Sequence, residues 1–131
     1  MASRPILSPF FVIGGPGPDA VSGDMSANII SDVTIIQNLS MIGYDISWSG
    51  TAPVGVMSVQ VSNTYSQNAD GTVKNPGDWA TLALSAPTNV SGNTGNGFID
   101  VDATGAFAIR LVYTRTSGVG TMQAVISAKV A

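Results

Sequence analysis

Apolar and polar residues alternate along several stretches of the chain, which is the pattern of half-buried β-strands. In "MIGYDISWSG" the apolar positions are Ile42, Tyr44, Ile46 and Trp48. Because successive side chains of a strand point to opposite faces, one face of this segment is apolar and the other is polar. The same alternation recurs in "VMSVQVSN", "FAIRLVYTR" and "TMQAVISAKV", and shorter candidate strands lie at 32–37, 79–84 and 97–101.

This pattern predicts an all-β fold of about seven strands, with turn residues between them and no amphipathic helix. The expected architecture is a single antiparallel β-sandwich, jelly-roll-like, and a closed β-barrel is the competing architecture. Composition agrees, because all eight acidic residues are Asp, which favours turns, and none is Glu, which favours helices.

The first 28 residues lack the alternation and are predicted to form an extended N-terminal arm and hinge, with the sandwich domain at 29–131. The arm holds "ILSPFFVI" followed by the turn-rich "GGPGPD". Pro9 interrupts the apolar run, which argues against a signal peptide and a membrane span. We expect the arm to dock on a neighbouring subunit and the sandwich to fold without it. The candidate interface residues of the arm are Ile6, Phe10, Phe11, Val12 and Ile13.

The segment "YTRTSGVGT" (113–121) contains two glycines between two alternating stretches, so it predicts a hairpin connection. A phosphate loop is not expected, because the segment lacks the Lys and the following helix of that motif. Arg110 lies just before this segment and Arg115 within it, and their side chains are predicted to point to opposite faces of the strand. We expect them to pair with Asp side chains on the outer surface or to form an ion pair between subunits.

The amino-acid inventory argues against catalysis and cofactor binding. The chain has no His and no Cys, which removes the commonest general base, the thiolate nucleophile and most transition-metal ligands. The remaining carboxylate pair, Asp100 and Asp102, is predicted to be a solvated strand end. With net charge −3 and five basic residues, the chain has no basic stripe for nucleic acid. We expect a protein that is not an enzyme and that binds no cofactor, nucleic acid or membrane.

Two weaker ligand signals lie in the long connection at 63–78. Ser66, Asn68 and Asp70 are spaced like the first half of a calcium loop, but Gly77 stands where a bidentate Glu is needed. A plain turn is therefore favoured over a metal site. Tyr65 in this connection and Trp79 at the start of the next strand are loose aromatic rings, and one or two such rings make a weak platform for a sugar.

Four segments, in this order, resemble motifs of the small β-sandwich virion proteins of bacteriophages. They are "WSGT", "VQVSN", "WATL" and "RLVYTRTSGVGT", within a likeness that spans Tyr44 to Val130. The resemblance implies a structural protein of the virion and transfers no active-site residue, because strand and turn geometry explains the motifs.

The leading hypothesis is therefore a bacteriophage structural protein in the virion, a head decoration (cement) or minor capsid protein. It is expected to form a homo-oligomer, with a trimer favoured, and to dock by its arm to the major capsid protein or another virion component. The alternative is a tail or fibre adhesion module whose loops at 63–78 and 91–97 contact host-surface glycans. A carbohydrate-binding or calcium-binding module of a larger enzyme is the least favoured.

Overall fold

The computed structural model describes residues 6–16, 20–37, 39–84, 88–101 and 106–129, and these residues form strands and loops. The strands in these ranges are β1 Ile6–Ile13, β2 Ile29–Ile30, β3 Thr34–Ile35, β4 Met41–Ser62, β5 Ser66–Gln67, β6 Val73–Asn75, β7 Ala80–Thr81, β8 Thr88–Val90, β9 Thr94–Val101 and β10 Ala108–Lys129. All pairs between them are antiparallel. The predicted all-β antiparallel fold class is confirmed. The described residues include no helix that could span a membrane.

The centre of the fold is a long two-stranded ribbon made of β4 and β10. Each strand has 22 residues, and they pair from Ala108 opposite Ser62 to Lys129 opposite Met41. The sequence predicts these two strands as four shorter ones, because the alternation is interrupted in the middle of each. The remaining strands of the main sheet are shorter and pair along the two sides of this ribbon.

The predicted hairpin at 113–121 is wrong, because this segment is a bend inside β10. The stretches on either side of it pair with β4 and not with each other, and the register shifts between Arg115 and Val119. Gly118 has a φ of 78° and Ala52, across the ribbon, has a φ of 47°. A glycine between two alternating stretches is compatible with a hairpin or with a bulged strand. Here both stretches pair with β4, which is distant in sequence, and the result is a bulged strand.

The bend lets the ribbon fold over so that both of its halves contribute to one core. In one half β1 flanks β10 and β9 flanks β4, and in the other β2 and β3 flank β10 while β7 and β8 flank β4. The inward side chains of both halves belong to one hydrophobic cluster, which includes Tyr44, Ile46, Leu111, Tyr113 and Ile126. This arrangement is consistent with a β-sandwich. The finer jelly-roll assignment stays a prediction.

The described part of the predicted arm lies inside the domain. β1 pairs with β10, and Val12 and Ile13 are 0% exposed in the core. The alternation is hidden because the register shifts twice along β1, between Leu7 and Phe10 and between Phe11 and Ile13, so that two neighbours in sequence both face inward. Residues 6–13 were expected to leave the sandwich, and they pair within its sheet. That the sandwich folds without the N-terminal segment stays untested.

Candidate functional site

Two of the five candidate interface residues on the N-terminal segment are fully buried in the core. Val12 and Ile13 are covered by their own chain. Phe10 packs partly buried against the core, and Phe11 is partly buried with its ring close to Gly15. Ile6 pairs with Lys129 in the sheet register, and its side chain lies outside the described part of the structure.

The two candidate arginines have partners within the chain that differ from the expected Asp side chains. Arg110 Nε donates to Gln60 Oε1 at 2.8 Å, and its guanidinium lies 4.1 Å from the centre of the Trp79 ring. Partial burial lowers the pKa of Arg110 from its ordinary value. Arg115 is exposed at the bend, where its Nε donates to the Gly118 carbonyl at 2.9 Å.

Tyr65, Trp79 and Arg110 form an aromatic cluster against the outer face of the sheet. The Tyr65 and Trp79 ring centres are 5.7 Å apart at 56°, and the indole N–H donates to the Pro76 carbonyl at 2.8 Å. Tyr65 is only 6% exposed. The cluster lines a shallow groove of about 270 Å³. The two rings of the cluster contact each other, and the Trp79 ring also contacts the Arg110 guanidinium. These contacts attach the long connection at 63–78 to the sheet.

The segment with calcium-like spacing forms the turn of the hairpin β5–β6. Asp70 Oδ1 accepts hydrogen bonds from the backbone N–H and the hydroxyl of Thr72, at 3.0 and 2.6 Å. These hydrogen bonds lower the pKa of Asp70 below its usual range. Gly71 adopts a φ of 89°, so the plain turn that the sequence favours is what the chain forms. Within the described ranges, no group of three or more acidic side chains could hold a metal.

The predicted glycan loop at 91–97 is partly structural. Asn93 accepts hydrogen bonds from the backbone N–H of Gly50 at 2.7 Å and, through its side chain, from that of Ala52 at 2.8 Å. These contacts hold the loop against the bend of β4. Residues 94–97 already belong to β9, which pairs with β4.

The outer face of β9 carries the most exposed large apolar side chain of the described residues. Phe98 is 62% exposed, and its ring lies over Gly43 of β4. Asp100 follows on the same face and is exposed. The other carboxylate of this pair, Asp102, lies outside the described residues. Phe98 is not among the interface residues predicted from the sequence. The alternation in "GFIDV" is the signal that could have indicated it, because Phe98 points to the face opposite Ile99 and Val101.

No model of a known protein family matches the chain, and no curated protein is significantly similar to it. Among solved structures, the crystal structure of the SPBc2 prophage-derived protein YomS is similar, with 11% sequence identity over 97% of this chain and 96% of that chain. The TM-score of this match is 0.46. The structural neighbour is thus a prophage protein, and a likeness at this level carries no argument about function.

Proposed function

We propose that the protein is a structural component of a bacteriophage virion, a head decoration or minor capsid protein that assembles as a homo-oligomer. The proposal includes no catalytic activity and no cofactor. Its partners are other copies of the chain and the major capsid protein or another virion component. The trimer favoured from the sequence stays a prediction.

The observation that carries the proposal is where the phage-like motifs lie in the fold. The "WSGT" motif of β4 stands opposite the end of the "RLVYTRTSGVGT" motif of β10, with Ser49 opposite Thr121 and Gly50 opposite Gly120. Two motifs that are far apart in sequence thus form one structural unit, the bend of the ribbon. The resemblance therefore follows the element on which the fold depends and is not scattered over unrelated turns.

The surface supports the same proposal. Charged residues make up 10% of the chain, well below the usual quarter. Several large apolar side chains are exposed, namely Ile30, Val54, Val56, Val73, Phe98 and Val119. A surface with few charges and exposed apolar side chains suits extensive contacts with other protein subunits.

The adhesion alternative stays a prediction, but its two aromatic residues are engaged elsewhere. Tyr65 is buried, and one face of the Trp79 ring is covered by Arg110. Glycan contacts through the loops at 63–78 and 91–97 would therefore have to use the uncovered part of the Trp79 ring or other side chains. Binding of host cell-wall polysaccharide by the purified protein would favour this alternative.

The proposed function is tested on particles of the phage or prophage that encodes the chain. Virions are purified on a density gradient, heads and tails are separated, and the protein is quantified against the major capsid protein by mass spectrometry. We expect the protein in the head fraction at many copies per particle. Presence in the lysate with absence from purified particles would contradict a virion role, and recovery only with tails would favour the adhesion alternative.

A further inference from the structure

The outer edge of β9 has unpaired backbone groups whose direction follows from one hydrogen bond. The Gly50 N–H donates to the Asn93 carbonyl, and these two residues continue the pairing register of β4 with β9. In an antiparallel pair, hydrogen-bonded and non-hydrogen-bonded positions alternate. The odd-numbered residues of β9 therefore bond to β4, and the backbone groups of Thr94, Asn96, Phe98 and Asp100 face away from it. Within the described ranges no backbone group pairs with them.

This edge has few of the features by which proteins prevent strands from pairing with other chains, and its one charged side chain is that of Asp100. β9 pairs with β4 through eight residues without a register shift, and its sequence "TGNGFIDV" contains no Pro and no Lys. Edge strands are usually protected by Pro, Lys, bulges or a covering segment. An open edge of this kind is a template for another strand.

The opposite edge strand, β1, provides an internal comparison because it has several of these protections. It contains Pro9 and two register shifts. Its end is covered by the following segment, since Val21 N–H donates to the Val12 carbonyl at 3.3 Å and Gly14 N–H donates to the Val21 carbonyl at 2.7 Å. This half of the sheet, as far as the described residues show it, therefore has a protected edge at β1 and an open edge at β9.

We infer that the β9 edge is a self-association site, where β9 of one protomer pairs antiparallel with β9 of a second copy across a two-fold axis at Phe98. The inference rests on the homo-oligomer of the proposed function and names its interface, with a dimer in place of the trimer favoured from the sequence. It does not depend on where in a phage particle the protein is found.

Side-chain complementarity within β9 favours a second copy as the occupant. Pairing about Phe98 makes the two Phe98 side chains direct neighbours on the outer face. It also places the Asp100 carboxylate opposite the Asn96 side-chain amide of the other copy, so that an acceptor faces a donor. Asp100 is the one charged residue in β9. In this register it does not lie opposite Asp100 of the second copy, so two like charges are not paired.

The backbone groups match in the same register. Phe98 faces Phe98, and Asn96 faces Asp100, and in these pairs the N–H and C=O of both residues point outward. Each such pair exchanges two hydrogen bonds. The four-stranded half of the sheet then continues into its copy, and the product is a closed two-fold dimer.

The first test is the dissociation constant of the full-length protein, measured by analytical ultracentrifugation over a range of concentrations. Asn96→Pro removes an outward N–H and leaves the bonds to β4 intact, since Pro is tolerated on an edge. Phe98→Lys places a charge on the two-fold axis.

We expect each of these two variants to weaken dimerisation at least tenfold. Asn96→Thr, which keeps the N–H, and Ile30→Lys, an equivalent change at a 51% exposed isoleucine of the other half, should leave it within about twofold.

The second test uses hydrogen exchange measured residue by residue by NMR. The amides of Asn96 and Phe98 should exchange more slowly as protein concentration rises, whereas those of Gly95 and Gly97 should be protected at all concentrations by their bonds to β4. This alternating response distinguishes strand pairing from contact through a face of the sheet. All variants are compared with the wild type by circular dichroism to confirm that they remain folded.

Three results would overturn the inference: a monomer at all concentrations, a trimer, or unchanged dimerisation of folded Asn96→Pro and Phe98→Lys variants. None of them decides whether the protein is part of the virion, which the particle analysis tests separately. Conversely, a β9-paired dimer that is absent from purified particles would support this inference and reject the proposed virion role.

Discussion

Two tyrosines of the core show how much depends on a single hydroxyl partner. Tyr44 and Tyr113 are both 0% exposed, and burial raises the pKa of each phenol above its ordinary value. The Tyr113 hydroxyl donates to the Val54 carbonyl at 3.2 Å. The Tyr44 hydroxyl is buried without a hydrogen-bond partner among the described residues. One hydroxyl therefore helps to fix the bend of β4, and the other is desolvated without compensation.

We predict that the two Tyr→Phe substitutions differ in their effect on stability. Tyr113→Phe should lower the free energy of unfolding by about 1 kcal/mol, because it removes a hydrogen bond and leaves a carbonyl with one partner fewer. Tyr44→Phe should leave it unchanged or raise it by up to about 1 kcal/mol, because a buried hydroxyl without a partner is removed. Urea unfolding of both variants and the wild type measures the difference. Equal losses of the free energy of unfolding in the two variants would contradict the conclusion that only the Tyr113 hydroxyl has a hydrogen-bond partner.

Which side chains face inward could be predicted from the sequence, and what they contact could not. The alternation correctly placed Ile42, Tyr44 and Leu111 on the buried face, because strand geometry fixes this phase locally. Arg110 on Trp79 is a different case. That contact joins a strand to a connection distant in sequence, so no local pattern indicates it.

The bend of the β4–β10 ribbon is the element that local sequence misidentified. Its inward positions are even-numbered before the bend of β4, as at Trp48, and odd-numbered after it, as at Met57. β10 changes phase at the same point of the ribbon. Gly118 and Ala52 meet there, and a Cβ on Gly118 would collide with the Ala52 carbonyl oxygen. A glycine is therefore required for close approach as well as for its positive φ.

We predict that Gly118→Ala lowers the free energy of unfolding by more than about 3 kcal/mol, because left-handed strain of about 1–2 kcal/mol is added to a backbone collision. Gly71→Ala is the matched control, since Gly71 has a φ of 89° and no atom within 4 Å of the added Cβ. It should cost only about 1–2 kcal/mol. Thermal and urea denaturation measure both. Similar losses at the two positions would show that the collision is relieved elsewhere.

For the molecule as a whole, the N-terminal segment belongs to the structure that it was expected to leave. β1 extends one half of the sheet, and Val12, Ile13 and Met25 are 0% exposed in the common core. Met25 N–H also donates to the Gly120 carbonyl at 2.9 Å, which attaches this segment to the bend. The segment thus contributes to stability, and any contact with another subunit is additional.

We predict that deleting residues 2–25 abolishes cooperative folding. Burying each large apolar side chain contributes about 1.5–3 kcal/mol, so losing three of them approaches the total stability of about 5–15 kcal/mol typical of a domain. Ile13→Ala alone should cost about 2–5 kcal/mol. Ile30→Ala, at a 51% exposed position, should cost less than about 1 kcal/mol. Circular dichroism and urea titration test these three variants, and a folded truncation would restore the arm hypothesis.

The sequence by itself determined the fold class and the inward face of most strands. Both depend on the period-two alternation and on turn residues, which act over a few positions. Only the tertiary structure decided that four predicted segments are two long strands, that "YTRTSGVGT" bends instead of reversing, and that residues 6–13 enter the sheet. Each of these depends on pairing between residues distant in the chain. The open edge of β9 is of the same kind, because a strand is an edge only through the absence of a neighbour on one side.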